Sequence, residues 1–272
     1  MKTENIKIAP KWSKSKEEIW NEISSDIEEQ ESSPTKKRKR SLPLFDSERS
    51  LSSHLFSKYA AAIAVIAIIS FACFYEKTEH AARGQHLAVT LPDNSEVYLN
   101  ADSELSYKPY LWFISRNVKM KGEAFFDVKK GNRFTVKSFQ NEVRVLGTSF
   151  NVFARNTKYN VTCLSGKVEV KANNKSFTLT PNMQLQLRNK THDITENINI
   201  SQSIEWMQNK FSFISVPLAD VVEEIERQYD IHITTTSNLD YLYTGNSSKD
   251  KKPNEILEII GKPFGIIFRI EQ

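Results

Sequence analysis

Cysteine is almost missing from this chain, and its absence is the first constraint on the fold. Only Cys73 and Cys163 occur in 272 residues, and Cys73 sits inside an apolar run. The remainder therefore has no pair of thiols to join, and whatever folds there is held by an apolar core rather than by a disulfide framework. Cys163, in an apolar strand-like stretch, reads as a small core residue. Histidine is scarce as well: His54, His80, His86, His192 and His232 share no ligand spacing with one another or with a cysteine, so no zinc site is implied. There is no G-x-S-x-G, no phosphate-binding glycine loop and no dinucleotide fingerprint. With eight glycines in all, many turns must be made by other residues that tolerate positive φ, and Asp93-Asn94 and Asn173-Asn174 stand where such turns are due. The net charge of +4 is modest and unevenly spread, which implies no general nucleic-acid surface.

Long hydrophobic stretches are missing too, with one exception. From Tyr59 to Phe74 the sequence is apolar apart from Ser70, and no charge lies between Lys58 and Glu76. At ~1.5 Å per residue this run nearly crosses a ~30 Å hydrocarbon core, and the expectation is one membrane-spanning helix over residues 58–76. Lys36, Lys37, Arg38, Lys39, Arg40, Arg49 and Lys58 precede the run, against Lys77 and Arg83 after it, so positive-side bias predicts a cytoplasmic N-terminus and export of everything beyond Glu76. A soluble core helix would carry more polar positions, and a signal peptide would not begin with 58 residues of charged sequence.

Residues 1–57 form the expected cytoplasmic segment. Ser15 and Glu18 have capping-box spacing and predict a helix from residue 16 to about residue 30. Ile19, Ile23 and Ile27, with Trp20 beside them, make one apolar stripe on an otherwise charged rod. A helix this short cannot cover that stripe itself, so it is built to lie on a partner, helix in groove. Residues 31–46, with Pro34, Pro43 and several serines, read as a linker. The run Lys36–Arg40 reads as a lipid and topology anchor rather than a DNA contact.

From residue 85 to about 190 short alternating runs appear between turn signals: 86–91, 96–99, 133–137, 142–146, 149–153, 159–164 and 167–171. That spacing predicts an all-β unit, a sandwich or stacked sheets. Residues 205–272 change pattern. Phe211 to Ile214 reads as a strand; Pro217 opens a helix with Leu218, Val221, Val222, Ile225 and Tyr229 on one face; Ile231 to Thr235 returns as a strand. The pattern repeats through Leu242 to Thr244, a helix opened by Pro253 with Ile256, Leu257 and Ile260, and Ile266 to Ile270. This βαβ-βαβ order predicts a small split sheet with helices on one face.

Four blocks carry a family resemblance: V-T-L-P-D-N-S-E-V-Y-L-N-A-D-S-E-L-S-Y (89–107), V-K-M-K-G-E-A-F-F-D-V (118–128), V-L-G-T-S-F-N-V (145–152) and L-S-G-K-V-E-V (164–170). In order and spacing they resemble the periplasmic domain of FecR-type anti-sigma factors, with Asn94 and Asn182 where that family usually has glycine. Residues 205–272 are similar to the C-terminal domain of FecR-like proteins of Bacteroidetes, which is related to the N-terminal signalling domains of TonB-dependent transporters.

The resemblance implies a single-pass protein of the inner membrane, cytoplasmic at its N-terminus and periplasmic at its C-terminus. Its implied partners are an extracytoplasmic-function (ECF) sigma factor inside and the signalling domain of a TonB-dependent outer-membrane transporter outside. It implies no cofactor, no metal, no direct DNA contact and no enzymatic activity. Trp12, Ile19, Trp20, Ile23 and Ile27 are the sigma-binding residues expected on this reading. The cytoplasmic part lacks the His-x3-Cys-x2-Cys of the zinc-containing class of anti-sigma factor.

The resemblance also draws attention to Gly147 and Thr148, since some FecR-like proteins are cut at the matching Gly-Thr bond by an N-to-O acyl shift; with no base evident beside it, a structural turn is the favoured reading. Glu123 and Asp127 share a strand face and read as solvated acids of a β-domain. An alternative of a different class is a cell-envelope binding or assembly protein with no sigma-factor partner.

Overall fold

The computed structural model describes residues 14–31, 50–188 and 191–271. The first described element is helix α1, Lys16–Glu31. Its start is made as the sequence predicts: the Ser15 N–H donates to Glu18 Oε2 at 2.9 Å and the Glu18 N–H to Ser15 Oγ at 3.3 Å, a reciprocal cap that satisfies two otherwise free amides. Ile19, Trp20, Ile23 and Ile27 all fall within α1. Trp20 is 71% exposed. Trp12 lies outside the described residues.

The second helix, α2, runs Ser50–Phe74, and here the structure corrects the sequence reading. Among the described residues no helix is long and apolar enough to cross a membrane. The physical reason is length: the first turns of α2 hold Ser50, Ser52, Ser53, His54, Ser57 and Lys58, and the apolar run from Tyr59 covers only about 24 Å at ~1.5 Å per residue, short of a ~30 Å core. The single-pass architecture, the inner-membrane localisation and the assignment of sides by flanking charge all depended on that span, and they fall with it. The end of α2 is tied to the folded body instead: Phe71, Tyr75 and Tyr110 form an aromatic cluster with centroids 5.4–6.4 Å apart, and Lys108 Nζ donates to the Cys73 carbonyl at 2.8 Å.

Thirteen strands then build the β-domain: β1 Lys77–Ala81, β2 Leu87–Thr90, β3 Glu96–Leu99, β4 Ser103–Tyr107, β5 Arg116–Asp127, β6 Phe134–Ser138, β7 Asn141–Val145, β8 Ser149–Arg155, β9 Lys158–Cys163, β10 Val168–Ala172, β11 Lys175–Leu179, β12 Met183–Arg188 and β13 Thr191–Thr195. They form two sheets that share β5. One runs β1-β4-β5-β6-β7-β10-β11 and the other β2-β3-β5-β8-β9-β12-β13. Every pairing is antiparallel except β5 with β6. The twelve-residue β5 pairs with β4 through Val118–Lys121 and with β3 through Ala124–Asp127, so it passes from one sheet to the other at Gly122. That corner needs glycine: φ is +91°, and a Cβ would sit 2.4 Å from Ser103 Oγ. Even-numbered residues Val118, Met120, Ala124 and Phe126 point inward, and Phe126 stacks on Phe150 at 5.0 Å.

Asparagine does the work of the missing glycines. Asn94 (φ 60°), Asn173 (50°), Asn174 (59°) and Asn182 (68°) are all left-handed, and Asn173-Asn174 closes the β10–β11 hairpin, where two successive positive φ values match the twist of the strands.

The C-terminal domain has the predicted order: β14 Lys210–Pro217, α3 Leu218–Tyr229, β15 His232–Thr234, β16 Leu242–Ser248, α4 Pro253–Gly261 and β17 Arg269–Glu271. Its strands do not make one split sheet. They make two separate antiparallel pairs, β14–β16 and β15–β17, with α3 and α4 packing Leu218, Ile225, Ile256 and Ile260 between them.

Candidate functional site

α3 has a strong apolar face, and that face carries one polar intruder. Gln228 falls in the stripe of Val221 and Ile225 and is buried with them. A buried amide needs partners, and the β-domain supplies them. Gln228 Nε2 donates to Asn100 Oδ1 at 2.6 Å and to Glu224 Oε1 at 2.9 Å, while its Oε1 lies 3.0 Å from His86 Nε2. Asn100, fully buried just after β3, passes the chain on through Nδ2 to Glu123 Oε2 at 2.8 Å. The other Glu123 oxygen accepts from Asn151 Nδ2 of β8 at 2.9 Å. Four hydrogen-bonded amides and carboxyls thus run from the middle of the second sheet into the core of α3.

Charges surround this chain. The Glu224 carboxylate on α3 accepts from Arg227 at 2.8 Å. Arg155 of β8 donates to the carbonyls of Ala101 (2.6 Å) and Asp102 (2.8 Å). Asp220 of α3 pairs with Lys158, and the loop before β2 is stitched to the C-terminal domain by Gly84 N to Arg227 O (2.7 Å) and Lys249 Nζ to Gly84 O (2.9 Å). Between the two domains a cavity of about 210 Å³ is lined by Asn100, Glu123 and Phe153 on one side and Trp206, Phe211 and Glu224 on the other.

This setting controls protonation. Burial pushes the Glu123 carboxyl up, the nearby Glu224 charge adds to it, and the amide donors of Asn151 and Asn100 hold it back, for a value of about 7. Burial acts on Glu224 in the same sense, but Arg227 and Arg155 outweigh it and keep that carboxyl below its ordinary range. Burial lowers His86, partly offset by its bond to Gln228. The reading of Glu123 as a solvated acid is therefore corrected: it is buried under the C-terminal domain, whereas Asp127 on the same strand face stays partly exposed and accepts from Ser149 Oγ at 2.8 Å.

Gly147 and Thr148 lie elsewhere, between β7 and β8. Thr148 is buried, and its hydroxyl donates to the Lys167 carbonyl at 3.1 Å. Packing around this peptide is close: a Cβ on Gly147 would lie 2.7 Å from Lys130 Cα, and one on Gly166 would lie 2.9 Å from both the Gly147 carbonyl oxygen and Thr148 Oγ1. This turn is not brought to the domain junction. Among the described residues no cluster of three or more His, Cys, Asp or Glu could hold a metal ion. The junction residues were missed by pattern reading, though a signal existed: a glutamine in register with an apolar helix face implies a buried polar contact.

An all-β body of two sheets joined through one strand, with a small α+β module seated on it by buried polar contacts, defines the class of molecule. A family model described as "FecR protein" matches residues 77–169, and one described as "FecR, C-terminal" matches residues 210–272. The chain belongs to the FecR family. Two crystal structures of a candidate anti-sigma factor from Parabacteroides distasonis ATCC 8503 are similar to it. One is 31% identical over 73% of this chain and 96% of that chain, with a TM-score of 0.67. The other is 32% identical over 72% and 95%, with a TM-score of 0.66. No curated protein matches.

Proposed function

We propose that this protein is an anti-sigma regulator: α1 holds an ECF sigma factor, and the C-terminal domain receives a signal from the N-terminal signalling domain of a TonB-dependent outer-membrane transporter. The observation that carries the reading is the match of both FecR models, in family order, along one chain whose structural relatives are candidate anti-sigma factors. Two features support the partner assignments. Trp20 on α1 is uncovered, as expected of a helix meant for a groove. The β14–β16 ladder has only two strands, so each keeps an open edge, and Ile214, Tyr241 and Leu242 are exposed around its bulge; such an edge accepts a strand from another protein.

Pull-down of a genetically adjacent sigma factor tests the first half. Replacing Ile19, Ile23 and Ile27 together by Asp should abolish capture, since ~1.5 kcal/mol for each lost apolar contact is a large part of a micromolar complex. A chain lacking residues 206–272 should still capture it. Unchanged capture by the triple variant would remove α1 from the reading and favour a cell-envelope binding role.

A further inference from the structure

We propose that the seat of the C-terminal domain on the β-domain is a proton-controlled latch, in which Glu123 holds a proton while the domain is docked and releases it when α3 leaves. This concerns docking alone and does not rest on the partners proposed above. Geometry carries it. Glu123 projects from the outer face of its sheet into the wall of a cavity whose other side, Trp206, Phe211 and Glu224, comes from the C-terminal domain and the segment leading into it. The hydrogen-bond chain Glu123–Asn100–Gln228 crosses the seam, so the carboxyl and the bolt of the latch are directly connected.

Of the cations facing Glu123, Arg155 is the one that acts on it, and it does not offset burial and the Glu224 charge. From α3 it meets Glu224, Arg227 and Asp220; Arg227 is engaged by Glu224 and Asp220 by Lys158. From β8 it meets Arg155, whose hydrogen bonds go to the carbonyls of Ala101 and Asp102 and to Ser103 Oγ. Lys210 of β14 lies at the cavity wall. A charged Glu123 would therefore face the charged Glu224 across a buried seam, and a protonated one would not.

Separation hydrates Glu123 and removes Glu224, returning the carboxyl to its ordinary value. The docked form holds the proton up to about pH 7 and the undocked form only to about 4.5. Between those values the docked state binds more protons, so docking weakens as pH rises, by up to about tenfold per unit, and levels off above pH 7. His86 titrates in the opposite sense: it is held neutral when docked and favours separation as pH falls below its usual range. The ratio between wild type and a variant lacking the Glu123 charge isolates the latch.

Hydrogen exchange of the α3 amides in the full chain, divided by intrinsic rates, measures docking from pH 5 to pH 8.5. The expected result is that the protection of wild type relative to Glu123→Gln falls severalfold to tenfold per unit up to about pH 7 and is flat beyond it. A ratio constant across the range overturns the proposal. Should Glu123→Gln fail to fold, Glu224→Gln, which removes the anion facing Glu123, serves in its place: levelling off at a lower pH than wild type supports the latch, and levelling off at the same pH overturns it.

Discussion

The β-domain and the C-terminal domain are stabilised in different ways. In the first, nearly every strand sends Val, Leu or Phe into one continuous core, and its largest fully buried side chains, Phe126, Phe134 and Phe150, pack against one another. In the second, two-stranded ladders of the kind that are marginal by themselves are held by a few residues of α3 and α4. Its most buried polar residue, Gln228, is satisfied largely by the other domain. One region is a platform. The other is a module whose order is partly borrowed, and modules of that kind occupy the low-stability end of a protein, where signals act.

The sharpest way to break this contrast is in the platform. Phe126→Ala removes a ring stacked on Phe150 and edge-on to Phe134, and a cost of about 3–5 kcal/mol is expected from lost burial and the cavity left behind. Urea unfolding followed by circular dichroism should show the whole β signal shifting to lower denaturant. If instead only α3 loses protection, the β-domain is not the platform.

A smaller and more local effect is expected at the seam. Gln228→Ala strands Asn100, Glu224 and His86 without one partner each, and a loss of about 1–3 kcal/mol follows for buried groups left unsatisfied. Exchange should quicken throughout α3 while β5 and β8 amides stay protected. Equal loss in both regions would mean that the domains unfold as one unit and that the contrast is false.

How much of this could be read from the residues depended on whether each signal was periodic or relational. Alternating strands such as Glu96–Leu99 and Val168–Ala172 were legible, since period-two burial is local. So were the capping box at Ser15 and Glu18 and the order of the C-terminal elements. The pairing of those elements was not, because two ladders and one split sheet have the same local pattern. The shared strand β5 was hidden for the same reason: a twelve-residue strand turning a corner at Gly122 serves two sheets, and nothing local marks which partner each half takes. At the candidate site, Gln228 and Asn100 lie 128 residues apart, and only the fold makes them neighbours. The apolar run in α2 failed differently. Its hydrophobicity is plain in the sequence, but membrane crossing is a threshold in length, and the run from Tyr59 to Phe74 falls short of it.

The mildest prediction concerns the turns. Asn182 sits at φ 68° in the loop between β11 and β12, and its N–H donates to the Cys163 carbonyl at 3.1 Å. Only glycine, and to a lesser degree asparagine and aspartate, occupy that region without a large steric cost. Asn182→Gly should therefore be close to neutral, because what glycine gains in folded-state freedom it loses in the entropy of the unfolded chain. Asn182→Val should cost about 1–2 kcal/mol, since its Cβ branches crowd the backbone there. The loss should fall on the β-domain as a whole, read as a parallel shift of its urea transition with α3 protection unchanged relative to the strands. A valine variant as stable as wild type would show that this turn relaxes to another conformation, and with it the view that asparagine replaces glycine in the platform would fail at this position.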